Sequence, residues 1–508
     1  MNRVAIRLGL VLGALAVLMV AANLVPRGQT PATTALQATR LPLERATLVC
    51  PESRFAKDST STDVAAVAAS GQGSLLDAGL RIARGSATPR LDLTPLGAGT
   101  PLASEERRER LVTYGVRKPK VPPVVVSAQG SVAPGATAGQ LTRTGQGALR
   151  GLAESACTGP GSEFWFVGTS SQLGRHGRVY LTNTDDADAQ VELRLYDESG
   201  PVDADRPHSL TVDAGTQAVV ELDQLAPTSK RLAVAVVSTR GRVVAALRDD
   251  ALDGETPVGV DWIPSAVPPG RDLVIPGVAP GRGERVLSIV APGDSTASVD
   301  LSVLAAEGSF QPAELGRIDV KPGTVAEVRL DGATRQEAAA VRLTSDVPVT
   351  ATMRNQLGPS TGVRDVAYTA ATRSLSGPAV VPVTLGGPDH SATLVLSTPG
   401  TRAVRASAEL SDPEGRPLGS EKVVVKPGST VAVTLKPTKK ADRYVVVVQP
   451  EDGGPLYGAR FLVETSDDGP MMSVWPLTSG LTTAIRPVTR SDLGTGVGTG
   501  PTPDALFQ

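Results

Sequence analysis

Val212-Asp-Ala-Gly-Thr-Gln-Ala-Val-Val-Glu-Leu222 is the stretch on which the fold turns, because it returns twice. Val320-Lys-Pro-Gly-Thr-Val-Ala-Glu-Val-Arg-Leu330 lies 108 residues further on, and Val425-Lys-Pro-Gly-Ser-Thr-Val-Ala-Val-Thr-Leu435 another 105. A second run, Arg178-Val-Tyr-Leu-Thr-Asn183, Arg285-Val-Leu-Ser-Ile-Val290 and Ala392-Thr-Leu-Val-Leu-Ser397, recurs every 107 residues. Trp262, Tyr368 and Trp475 follow at steps of 106 and 107. Three runs agree on one period, so a unit of about 107 residues occurs three times between Phe164 and Arg490.

Each unit has the pattern of sheet. In Gln190-Val-Glu-Leu-Arg-Leu-Tyr196, Val191, Leu193 and Leu195 face one side and Glu192 and Arg194 the other, the period of a half-buried strand. Glycine turns punctuate the strands, and in Ala-Gly-Thr or Pro-Gly-Thr/Ser the glycine can supply the positive φ of a tight turn. Seven or eight short strands with no helical period between them predict an immunoglobulin-like β-sandwich.

The predicted architecture is all-β: three tandem immunoglobulin-like modules at 161–270, 271–377 and 378–490, and a divergent N-terminal β-rich domain at 43–160, for which a degenerate sandwich is the second reading. In that first domain Asp63–Ala69 and Val121–Ser127 read as strands, and the charged stretch Ala103–Leu111 as one helix. Ile485-Arg-Pro-Val488 reads as one more opening strand, closing the last module or pairing back along the array. Residues 27–42 read as a stalk linker and 491–508 as a flexible tail. The 508 residues suit several cores, and 53 Gly, 41 Pro and only 3% aromatics favour many turns between Val- and Thr-rich strands.

Residues 1–26 read as a signal anchor forming one N-terminal transmembrane helix. Arg3 and Arg7 precede Leu8 to Val25, whose only polar residue is Asn23, and eighteen residues span about 27 Å. The basic flank keeps the N-terminus in the cytoplasm and places the body outside, at the cell membrane. Cleavage after Val20-Ala21-Ala22 is the alternative and gives a secreted protein. A net charge of -2 leaves no footprint for nucleic acid.

Two cysteines, Cys50 and Cys157, have no histidine near them in sequence. In an oxidising compartment the default is one disulfide, with two free buried thiols as the alternative. The chain lacks paired-histidine zinc spacing and a G-x-S-x-G elbow, so no catalytic residue, metal ligand or cofactor is assigned. Asp185, Asp186 and Asp188 stand in a turn, where calcium ligation competes with ordinary turn chemistry. Candidate ligand contacts are Trp165, within Phe164-Trp165-Phe166, and His176 and His390, which occupy one module position 214 residues apart.

Cys50-Pro51, Cys157 followed by Gly159-Pro-Gly161 and Phe164-Trp-Phe-Val-Gly168, and the Val-x-Pro-Gly-Thr strands together resemble an actinobacterial family of secreted or membrane-anchored proteins of unknown function, DUF5719. The resemblance runs from about Cys50 to Arg490. It implies a cell-envelope setting and transfers no active-site residue. The expected function is a non-enzymatic, membrane-tethered extracytoplasmic protein, a rod of sandwiches presented to an envelope protein or cell-wall glycan. A carbohydrate-binding secreted protein, with Trp165 stacking on sugar, is the alternative, and a hydrolase with its site in 50–160 a second.

Overall fold

The computed structural model describes residues 39–54, 60–69, 87–118, 120–202, 208–358, 361–481 and 483–486. Residues 8–25, read as the membrane helix, lie outside these, as do residues 27–38 of the stalk and 491–508 of the tail. No helix among the described residues is long and apolar enough to cross a membrane. Two compact units are present. In one, Thr39–Pro42 pairs with Thr483–Arg486. The extra strand near Ile485 therefore pairs back to the start of the chain, and the last residues of the expected stalk are strand.

The other unit, Pro42–Thr483, is all-β. It holds four two-sheet sandwiches, at residues 45–156, 163–263, 270–370 and 379–476, so that the divergent N-terminal domain is built on the same plan as the three modules. All four share one strand order. In the first sandwich Arg45–Cys50, Val124–Gln129, Arg90–Pro95 and Ala103–Glu105 are neighbours in one sheet, which are strands 1, 6, 3 and 4 in chain order. Val112–Val116, Thr60–Ala68, Ala136–Thr144 and Gly151–Ala156, strands 5, 2, 7 and 8, make the other sheet. The later copies repeat this; in the third, the 19-residue strand Ala339–Leu357 serves as strand 6 in one sheet and strand 7 in the other.

Strands 2 and 5 pair, as do 3 and 6, as in an immunoglobulin sandwich, but strand 1 lies beside strand 6 and strand 7 beside strand 2. Alternation tells which face of a strand is buried and is silent on which strand lies next to it, so this exchange was beyond sequence reading. The expected faces hold. Val191, Leu193 and Leu195 are in the core of the second sandwich while Arg194 pairs with Glu192 on the outside. Gly215, Gly323 and Gly428 have φ of 66°, 65° and 61°, the left-handed turn that the repeated glycine was read for.

The helix expected over Ala103–Leu111 is absent. Ala103–Glu105 is an edge strand, and the Glu105 carboxylate accepts the amides of Glu106 and Arg107 at 2.9 and 3.0 Å, which favours a turn. Arg108 then points inward and donates to the carbonyls of Ser131 and Pro134.

The sandwiches form a closed cycle, not a rod. The eighth strands, Gly151–Ala156, Thr256–Ile263, Asp365–Ala370 and Met471–Pro476, pack each on the next, and the last returns to the first. In the last three sandwiches the first strand likewise faces the next sandwich of the cycle. Glu163–Thr169 packs on the third sandwich, Gly270–Val278 on the fourth, and Ala379–Leu385 on Thr60–Ala68 and Ala136–Thr144 of the first. The first sandwich meets the second instead through the short strand Ser53–Arg54, the Arg54 carbonyl accepting from Arg248.

Cys50 and Cys157 are joined, with Cα atoms 4.3 Å apart, so that the disulfide ties the edge of one sheet of the first sandwich to the edge of the other. The core it closes is mostly Val and Ala, and beside it Ser53, Thr62 and Thr142 form a buried triangle of hydroxyls 3.1–3.2 Å apart. Such a core gains less from burial than one of Leu and Phe. Replacing both cysteines by alanine should therefore lower unfolding stability by about 4–5 kcal/mol, the chain-entropy value for a loop of this length, read from the urea midpoint.

Candidate functional site

The eighth strand of each sandwich is a sheet edge, and its outer amides would be unpaired donors if buried without partners. At the cycle's axis two carboxylates meet them. Asp261, fully buried, accepts the Glu154 amide at 2.9 Å and the Tyr368 amide at 3.2 Å, linking three sandwiches. Asp365, also fully buried, accepts the amides of Leu152 at 3.1 Å and Met472 at 2.9 Å on one oxygen and its neighbour Val366 at 2.9 Å on the other. Gly259, at φ 137°, lets the chain approach: a Cβ there would stand 2.6 Å from the Asp365 carboxylate and 2.5 Å from the Val366 nitrogen.

Burial pushes both carboxyls up against the pull of these amides, Asp261 well above the usual carboxylate range and Asp365 to about 7. Glu154 is held by the buried Arg460 guanidinium and by the Ser473 hydroxyl at 2.8 Å. Tyr368 reaches into the second sandwich, where its hydroxyl donates to Asp249 at 2.6 Å; Asp249 also accepts from Thr169 and Arg175. These groups are occupied in joining domains.

The seam between the first and fourth sandwiches has no chain connection beside it and is closed by side chains. Arg143 binds Glu464 through both oxygens at 2.8 Å, and His390 stands 3.4 Å from the same carboxylate. Burial alone would raise Glu464, but the neighbouring His390 and the paired Arg143 guanidinium bring it down to about 2. Arg443 meets Asp63 at 3.3 Å across the same seam.

His390 is thus a seam residue. His176 lies at the start of the equivalent strand in the second sandwich, opposite Asp250 and half-buried. Trp165 is not an open platform: only 6% is exposed, it stacks on Tyr196 with centroids 6.0 Å apart, and it packs with Val290, Val325 and Ala370 of the third sandwich. Its strand lies between two sandwiches, so the face turned away from the Phe164 and Phe166 core is covered too. Trp262 similarly packs with Ala153 of the first sandwich, and Trp475 joins the core of the fourth. Asp185 pairs with Arg242 at 2.9 Å and Asp188 accepts the Ala214 amide at 3.0 Å, as turn residues do. Among the described residues no group of three or more His, Cys, Asp or Glu is placed to hold a metal ion.

A groove of about 860 Å³ opens where the first, second and fourth sandwiches meet. Its floor is the outer face of one sheet of the first sandwich, where Thr47 is paired across from Ser127 and Thr94 from Val125. Thr184 and Arg242 line it from the second sandwich and Thr478 and Leu481 from the fourth. Sequence reading missed this groove and the axis. A signal for the axis existed: Glu154 and Asp261 continue backward the 107-residue series of Tyr368 and Trp475. The groove had none, since its walls are far apart in sequence.

Two outcomes follow from the axis. Removing one partner of a buried ion pair strands the other, so Glu154→Ala should cost about 3–5 kcal/mol in chemical denaturation. Asp365 gives a pH slope. Below its ordinary pKa of 3.8 the carboxyl is protonated in both states and carries no penalty; between there and about 7 only the unfolded chain ionises it, so stability falls as pH rises. The share of Asp365 is roughly 4 kcal/mol, and Asp365→Asn should make the slope across pH 4–8 shallower, leaving the part that Asp261, raised in the same sense, contributes. Glu464 acts in the opposite sense, its contribution being lost as pH falls from 4.5 to about 2, and so it meets that window only at its acid edge.

The model of the Family of unknown function (DUF5719) matches residues 112–436, from the fifth strand of the first sandwich into the fourth. No curated protein matches the chain. More than half of the 508 residues carry the family's pattern, and the chain belongs to DUF5719.

Proposed function

We propose that this chain is a non-enzymatic extracytoplasmic protein of the cell envelope, tethered by its N-terminal apolar segment, whose sandwiches, immunoglobulin-like in their central strand pairs, present a binding surface. The observation that carries this reading is the Cys50–Cys157 disulfide, buried at 0% and 6% exposure. Such a bond persists in oxidising compartments and is rare where glutathione keeps thiols reduced. The basic residues before Leu8–Val25 agree with it, since they orient an apolar segment with the body outside. A non-enzymatic role is supported by the axis and seam, whose buried carboxylates hold domains together.

Between the two kinds of ligand expected from the sequence, the groove favours a wall polymer, because its polar lining is hydroxyls with two guanidinium groups and one carboxylate, and its one aromatic among the described residues, Trp475, is 3% exposed. Protein interfaces are commonly anchored by Trp, Tyr or Arg set in pockets. The alternative of stacking on Trp165 loses its support, since that ring is covered.

Fractionation with thiol labelling tests the location. The protein should pellet with membranes, resist a carbonate wash, and take up maleimide only after reduction. Recovery in the cytosol with two freely reactive thiols would end this reading; recovery from culture fluid would mean that the segment is cleaved.

A further inference from the structure

We infer that the groove between the first, second and fourth sandwiches binds an extended anionic polymer rich in hydroxyl groups. The proposal rests on the extracytoplasmic reading and gives its surface a ligand class. The volume, about 860 Å³, lies in the range of ligand sites. The site is assembled by the closed cycle: Thr47 comes from the first sandwich, Arg242 from the second and Leu481 from the fourth, so no single sandwich contains it.

The charge of the lining decides the sign of the ligand. Arg242 and Asp185 are both in the groove and neutralise each other, with contacts of 2.9–3.2 Å. Arg45 lines the same groove, is exposed, and has no ion pair among the described residues. One uncompensated guanidinium on a wall otherwise neutral favours an anionic group, bound by charge-assisted hydrogen bonds. The remaining polar lining is hydroxyl, Thr47, Thr94, Ser127, Thr184 and Thr478 among it. A hydroxyl both donates and accepts, which suits a ligand that also presents hydroxyls, whereas a carboxylate-only ligand would leave the accepting half unused.

Apolar contact comes from Leu48, Val125 and Leu481, the last 64% exposed at the rim. No aromatic face is open for stacking on a neutral sugar, so recognition falls to charge and hydrogen bonding. Sugar-acid polymers and polyol-phosphate polymers share this chemistry.

Binding of the full chain to polygalacturonate and to a glycerol-phosphate polymer, with neutral dextran and polyglutamate as comparators, tests the proposal. At least one of the two anionic polyols should bind more tightly than both comparators, and which one binds identifies the source of the charge. Arg45→Glu should weaken that binding about fivefold or more, the upper range for one exposed charge contact. Lys422→Glu, on an exposed strand of the fourth sandwich outside the groove, should leave it unchanged. Failure of both polymers to bind, equal binding of dextran or polyglutamate, or unaltered affinity in Arg45→Glu would overturn the proposal. Should Arg45→Glu fail to fold, Arg45→Ala decides by the same criterion. A membrane-located protein with oxidised cysteines that fails these tests would retain its location and lose only its ligand.

Discussion

The structure depends on how a sheet edge is buried. Four sandwiches each turn their eighth strand toward a common axis, and the outward amides of those strands leave water when the axis closes. An amide buried without a partner costs about as much as a lost hydrogen bond, and several together would forbid the arrangement. Asp261 and Asp365 remove that obstacle by accepting amides from neighbouring sandwiches. Each carboxylate is itself costly to bury, which is why both are pushed toward the neutral form. The edge strands and the acids are therefore tolerable only together.

Closure changes what the repeat means. A linear array of sandwiches would leave its terminal faces in water, and each unit would contact only its neighbours. Here the fourth sandwich meets the first, and the contact with no covalent backing carries the densest set of charges: Arg143 with Glu464 and His390, Arg460 with Glu154, and Arg443 with Asp63. Leu141 and Leu152 of the first sandwich also join the apolar core of the fourth. Apolar burial holds the seam, and the buried pairs fix its register. The groove sits at this junction because three separate sandwiches border it.

The copies have also diverged in a physically ordered way. The last three sandwiches fill their interiors with Leu, Val, Ile and aromatics, and none contains a cysteine. The first has a Val and Ala core with hydroxyls within it and carries the disulfide. That change in filling is also why its sequence did not read as a fourth copy: the Pro-Gly-Thr strand and the apolar spacing that mark the others are lost there, while the strand order survives.

The sequence by itself determined the all-β class, the period near 107, the inward and outward faces of strands such as Gln190–Tyr196, and the left-handed turn at Gly215, Gly323 and Gly428. These are local consequences of side-chain alternation and of glycine's freedom, and each is written within a few consecutive residues. Only the tertiary structure decided that strand 1 lies beside strand 6, that four units close into a cycle, and that Trp165 is sealed between two of them. Those facts rest on pairings between residues far apart in the chain, such as Thr47 with Ser127, Glu154 with Asp261 and Arg143 with Glu464, where nothing in either local stretch specifies the partner. Asp261 and Asp365 look like ordinary polar residues near strand ends until the axis forms around them.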